Sequence, residues 1–242
     1  MGATQAFRVV LVLGACFGLL TSAADATSIT VNNFSFENPA VPPPGNYTTS
    51  CPTGWTCSGG FGGGIFYPTN TQYPAGANGL TGGALVPDGN QEAWVQGNLP
   101  QYLMQNTSVS IAADTTYTLS VWAGARNDQQ PDAWAQGFQP TIELLANGAV
   151  VASLITTDPG NGMWEDFSLS WASLAADVGD TLGVELLYPG SVLSQTQVGW
   201  DDVTLNSSPA TTPIPGAFPL FAGGLGIGGL FARRKKRKTI AA

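Results

Sequence analysis

The chain has 242 residues and a formal net charge of −8, and it contains no histidine. That absence excludes Ser-His-Asp and Cys-His nucleophilic enzymes and any histidine-bound metal. Between residues 27 and 212 there are fifteen acids against one cation, Arg126, a formal net charge of −14 that would repel phosphate backbones and exclude nucleic acid as a partner.

Residues 1–26 carry Arg8, then an apolar stretch from Val9 to Leu20, then small residues ending Ala24-Asp25-Ala26. This is the pattern of a cleavable secretory signal. Cys16 leaves with it, so the mature chain keeps Cys51 and Cys57, and export to an oxidising compartment predicts a local disulfide between them around Gly54-Trp55.

Residues 27–208 read as one all-β domain without a sustained helical repeat. A first short strand over Ile29 to Val31 leads into a Gly-, Pro- and Asn-rich region, 39–90, expected to be loops with short strands near Gly54-Trp55 and Gly64 to Tyr67. Further strands are expected at Glu92 to Gln96, Tyr102 to Met104, Thr107 to Ile111 and Thr116 to Ala123. In the last of these, Tyr117, Leu119 and Val121 fall on the core face and Trp122 on the other. Asn147-Gly148 between two β-compatible runs, Ile142 to Leu154, predicts a type I′ hairpin, because both turn positions need positive φ. Strands at Trp164 to Trp171, Thr181 to Tyr188 and Val198 to Leu205 complete an antiparallel β-sandwich.

The segments Asn33-Phe34-Ser35-Phe36-Glu37, Tyr117 to Ala123 and Val198 to Leu205 resemble the galactose-binding-like jelly rolls of carbohydrate-binding modules. The resemblance implies a structural calcium tying the first strand to the last, with Glu37 and Asp201 or Asp202 as the matching carboxylates. Calcium takes six to eight oxygen ligands, which carboxylates and backbone carbonyls could supply. Asp201 shares strand parity with Val203 and Leu205, so it is expected to point into the core, where it would need a cation or hydrogen bonds. The alternative is that these acids cap strand ends or accept from backbone amides.

Sugar stacking needs exposed aromatic faces with polar neighbours, and Trp122, Trp134 and Phe138, with Arg126 and Asp128, are the candidate ligand-binding residues. Any of these tryptophans could equally be packing, and Arg126 a structural ion-pair partner. The adjacent pairs Glu165-Asp166 and Asp201-Asp202 lie on opposite faces of their strands and could not flank one glycosidic bond. The body is therefore expected to be non-catalytic and associated with surface polysaccharide. An adhesive or structural biofilm protein without a sugar site is the alternative, and a secreted glycan hydrolase a third reading.

The end of the chain has three parts. A linker over 209–215 contains Pro213, Ile214 and Pro215, and Gly216 opens an apolar segment over 216–232. A basic tail over 233–242 begins Arg233-Arg234-Lys235-Lys236-Arg237-Lys238. Seventeen residues make about 25 Å of helix, the short limit of a bilayer span, and the six cations would act as a cytoplasmic stop-transfer signal. The order of parts resembles the PEP-CTERM sorting tails in their Val-Pro-Leu-Pro-Ala variant, departing at Thr212, Ile214 and Gly216. That resemblance implies processing by an exosortase-type membrane enzyme near Pro213 to Gly216. It also implies a transient hold in the inner membrane and a final place at the cell surface or outside it.

Overall fold

The structure is a computed structural model, and it describes residues 26–128, 134, 137–190 and 196–210. The leader, the sorting motif, the apolar segment and the basic tail lie outside the described residues. Among the described residues, no helix is long and apolar enough to cross a membrane.

Alternation of apolar and polar residues builds two antiparallel sheets. The larger has seven strands, β1 (Thr27–Ile29), β2 (Tyr47–Thr48), β4 (Gly63–Phe66), β5 (Glu92–Gln96), β7 (Thr115–Ala125), β10 (Met163–Ala172) and β12 (Gln197–Pro209). Its order is β10-β7-β12-β5-β4-β2, with β1 paired to the distal half of β12. The smaller sheet runs β3 (Thr56–Cys57), β6 (Gln101–Ser110), β11 (Thr181–Tyr188), β8 (Thr141–Ala146) and β9 (Ala149–Ile155). The predicted strands at Tyr102 to Met104 and Thr107 to Ile111 are one continuous β6, because pairing with β11 extends across the polar residues between them.

The core lies between the sheets. Leu119, Val121 and Ala123 of β7, with Ala93 and Val95 of β5, meet Leu144 of β8 and Val184 and Leu186 of β11, all without solvent exposure. Tyr117 is buried on the same face, and its hydroxyl oxygen accepts from the Ala112 amide at 2.8 Å. The β8–β9 hairpin turns at Asn147 (φ +47°) and Gly148 (φ +80°), the positive angles a type I′ turn requires. Cys51 and Cys57 are disulfide-bonded.

One expectation about facing fails. Along β12 the pairing with β7 slips between Asp201 and Thr204, where Asp202 takes φ +47°. This bulge inserts one extra residue and reverses the parity, so Trp200 and Val203 both reach the core while Asp201 sits opposite Trp122 on the outer face. Counting by twos through a bulge is what misdirected Asp201.

Leu144→Ala would leave a cavity between the sheets and is expected to lower unfolding free energy by about 2 to 5 kcal/mol. Leu174→Ala, at a site 62% exposed, should stay within about 0.5 kcal/mol of the parent. Urea denaturation of the two variants checks both.

Candidate functional site

Around β5 and the adjoining part of β12, the outer face of the larger sheet is covered, although Ser168 and Ser170 of β10 on the same face are exposed. Residues Glu92, Trp94 and Gln96 of β5 alternate away from Ala93 and Val95, and the register places Phe66 beside Glu92, and Gln197 beside Gln96. Gly199 of β12 lies directly across from Gly124 of β7, so two neighbouring strands lack side chains at one level. The loop between β4 and β5 fills the gap. Its Tyr73 enters there, and a Cβ on Gly124 or Gly199 would stand 2.8 Å or 2.6 Å from the Tyr73 hydroxyl. Tyr73 stacks at 4.7 Å on Trp164 of β10, and these two with Val86 form a second small core.

Glu92 is fully buried beneath this loop. Its Oε2 accepts the Tyr73 hydroxyl proton at 2.8 Å, and its Oε1 has no partner. Burial pushes the carboxyl up to about 8, outweighing the opposing influence of the Arg126 charge and the Tyr73 hydrogen bond. Glu92 therefore keeps its proton at neutral pH. The Tyr73 phenol is raised as well, chiefly by burial and then by Glu92.

Beside the acid, a cavity of about 430 Å³ opens between Gly45, Tyr47, Thr49, Phe66, Gln72, Trp94, Gln96, Arg126 and Gln197. Tyr47 stands edge-on to Trp94 at 5.9 Å, and the Arg126 guanidinium lies 4.3 Å over the Phe66 ring. Asp128 grips Arg126 through two parallel hydrogen bonds of 2.9 Å, Nε to Oδ1 and Nη2 to Oδ2. Burial opposes the Asp128 charge, but Arg126 and the Gln72 amide hold its carboxyl below the ordinary value.

The sequence-derived ligand set divides here. Arg126 lines the cavity and Asp128 positions it. Trp122 is half-buried on the same face, packed against the Tyr73 and Trp164 cluster. Trp134 belongs to the main core, with its indole N–H on Thr156 Oγ1 at 3.0 Å, and half-buried Phe138 lies outside the cavity lining. The residues that sequence reasoning passed over are Tyr47, Phe66, Tyr73, Glu92 and Trp94. Only the even parity of Glu92 and Trp94 against buried Ala93 and Val95 could have marked them as a shared second face.

The proposed calcium corner is built around one turn. Glu37 Oε1 accepts the amides of Asn90 (2.6 Å) and Gln91 (2.8 Å), and Asp201 Oδ2 accepts that of Asp88 (2.8 Å). The first strand region and the last are thus tied through the same turn by backbone hydrogen bonds. Asp201 Oδ1 is buried without a partner, and burial raises this carboxyl. Asp202 is raised by burial and by Asp88 and Asp166. Among the described residues no three acids, cysteines or histidines converge as a metal-holding group.

The antiparallel sandwich thus carries a buried acid and an aromatic-lined cavity on one sheet face, a candidate small-molecule site. Residues 27–206 match the family model of the HpiC1 cyclases, and the chain belongs to that HpiC1-like family. Among solved structures, an apo cyclase from Fischerella sp. aligns over 77% of this chain and 98% of its own, with 24% identity and a TM-score of 0.64. The Stig cyclase Fisc from Fischerella sp. TAU aligns over 77% and 100%, with 22% identity and a TM-score of 0.64. These structures share the fold. No curated protein matches the chain.

The family match overturns the expectation of a non-catalytic, polysaccharide-associated surface protein. The error had a physical origin: lack of histidine and the opposed faces of adjacent acids exclude particular mechanisms, whereas a single buried carboxylic acid needs neither histidine nor a paired carboxylate.

Because the folded Glu92 pKa of about 8 exceeds its ordinary value of 4.5, the native state holds a proton the unfolded chain releases between those values. Its contribution to stability is complete below about pH 4.5 and is lost as pH rises through about 8, a change on the order of a few kcal/mol. Glu92→Gln, which cannot ionise, should flatten that part of the stability curve, measured by urea unfolding from pH 5 to 9.

Proposed function

We propose that this chain is an exported cyclase that closes a ring within one flat, unsaturated substrate held in the cavity, with Glu92 supplying and recovering a proton. The carrying observation is a fully buried carboxyl with one unpartnered oxygen, its pKa raised by burial, near an aromatic-walled cavity in a chain of a cyclase family. Tyr73 occupies Oε2, so the acidic hydrogen belongs on the unpartnered Oε1. Glu92 is outside the cavity lining, while Phe66, its register partner on β4, and Trp94, two residues along β5, belong to it. The reaction therefore requires a side-chain shift that brings the acid to the substrate.

Proton transfer to a carbon–carbon double bond leaves a carbocation. The π electrons of a second unsaturated group then form the new carbon–carbon bond, and loss of a proton to the Glu92 carboxylate restores both acid and neutrality. Atoms are conserved, so product and substrate are isomers. The rings of Trp94 and Tyr47 suit a developing positive charge, which an aromatic ring stabilises electrostatically, whereas the Phe66 ring already carries the Arg126 guanidinium.

Two Fischerella cyclases of this fold are crystallised with indole compounds, one of them 4-(1H-indol-3-yl)butan-2-one. Indoles with unsaturated side chains are therefore the first substrates to try. Wild-type protein should convert at least one to a product of equal mass and different retention, and Glu92→Gln should do so about 10² to 10⁴ times more slowly. The rate should fall above about pH 8, as the acid ionises. Equal rates in the variant would remove Glu92 from the chemistry, and no conversion by wild type would remove the cyclase reading.

The leader and tail support export, with an exosortase-type enzyme releasing the body from a transient hold in the inner membrane. The jelly-roll, galactose-binding-like assignment belongs to the same reading. So does a structural calcium at the 88–91 turn, with the orphaned Asp201 Oδ1 and Glu37 as hard oxygen donors. Calcium is then expected to raise the melting temperature of residues 27–208 relative to chelator, by differential scanning fluorimetry. An unchanged value would sink it.

A further inference from the structure

The polar side chains around the cavity have a direction. Asp128 can only accept and Arg126 can only donate, and their bidentate pair fixes the guanidinium. Arg126 Nη1 donates to Gln197 at 2.9 Å, so the atom it meets has to be the carbonyl Oε1. The amide nitrogen of Gln197 is thereby turned to Gln96, donating at 2.7 Å to Gln96 Oε1. This leaves the Gln96 amide nitrogen as the end of the chain, without a hydrogen-bond partner among the described residues.

The same accounting holds for Gln72. Its nitrogen donates to Asp128 Oδ2 at 2.8 Å, and its oxygen accepts the Thr69 amide and hydroxyl at 2.8 and 2.7 Å. Each of the three glutamine side-chain carbonyls that border the cavity already accepts at least one hydrogen bond. The indole N–H of Trp94 also lacks an acceptor, but the atom is fully buried, so Trp94 offers the cavity its ring and not this donor. Among the glutamine amides of the lining, the unpaired nitrogen is thus Gln96 Nε2, beside the Tyr47 and Thr49 hydroxyls, which serve either role.

We propose that the cavity selects a ligand whose flat ring lies against Trp94 and Phe66 and whose side chain carries an accepting, carbonyl-type oxygen for Gln96 Nε2. A protonated amine there would set donor against donor at Gln96 Nε2. This rests on the reading of the cavity as the substrate site and adds the chemical class that the site admits. The Asp128 to Arg126 to Gln197 relay makes Asp128 and Gln197 positioning residues, which orient Gln96 without needing to touch the ligand.

Isothermal titration calorimetry of the full body, residues 27–208, with three indoles tests this. The probes are 4-(1H-indol-3-yl)butan-2-one, 3-butylindole, which lacks the oxygen, and 4-(1H-indol-3-yl)butan-2-amine. The ketone is expected to bind about tenfold more tightly than either of the others, the worth of one hydrogen bond. Gln96→Leu should abolish that advantage, so that the ketone and 3-butylindole bind alike, and Gln96→Glu, which replaces the donor by an acceptor, should make the amine the preferred probe.

Equal binding of ketone and 3-butylindole to wild type, or an unchanged ranking in Gln96→Glu, would overturn the donor-chain inference while leaving the cavity as the site. Heat from none of the three probes would overturn the site reading itself, and the inference with it. Circular dichroism of each variant separates lost recognition from lost fold.

Discussion

Gly124 and Gly199 face each other across the two central strands of the larger sheet, and the site depends on that empty pair. Any side chain there would occupy the space of the Tyr73 hydroxyl and, at Gly199, of the Glu92 carboxylate. Because the gap exists, Tyr73 can descend onto the sheet, and its loop seals an ionisable group under aromatic cover. Burial in turn sets the protonation state of Glu92. A sheet face that would otherwise be wetted becomes a second, smaller interior with a cavity at its edge.

The charge pattern acquires a sharper meaning in this setting. In a domain with fifteen acids and one cation between residues 27 and 212, a guanidinium free to choose partners could sit almost anywhere. Arg126 is instead held in one orientation by Asp128, with a ring beneath it and a glutamine at its tip. It lowers the cost of keeping acids nearby and gives polarity to a chain of amides that would otherwise flip freely. Asp201 illustrates the opposite case: a buried acid with no cation among its hydrogen-bond partners, retained by the Asp88 amide alone on one oxygen.

Much of the fold was legible in the chain. The alternation in Thr116 to Ala123 and the Asn147-Gly148 turn identify strands, facing and a hairpin from local geometry, and the extended pairing of β7 with both β10 and β12 agrees with them. The site was less legible. Arg126 and Asp128 stood out as an isolated cation and a near neighbour, but Tyr73 and Glu92 looked like ordinary residues of a loop and a strand. Nothing local distinguishes a tyrosine that will enter a sheet gap from one that will face solvent, and the gap is formed by glycines 75 residues apart.

By itself, then, the sequence determined the all-β character, the strand facing wherever period two is unbroken, the extreme charge segregation and the absence of histidine chemistry. These are properties of short stretches or of composition, and they survive without knowing what packs on what. The tertiary structure alone decided that Asp201 faces outward, because a bulge shifts parity only where two strands are paired. It alone decided that Trp134 fills the core and that Glu92 is a neutral acid, because burial is a property of the neighbours that cover a residue and those neighbours come from distant parts of the chain.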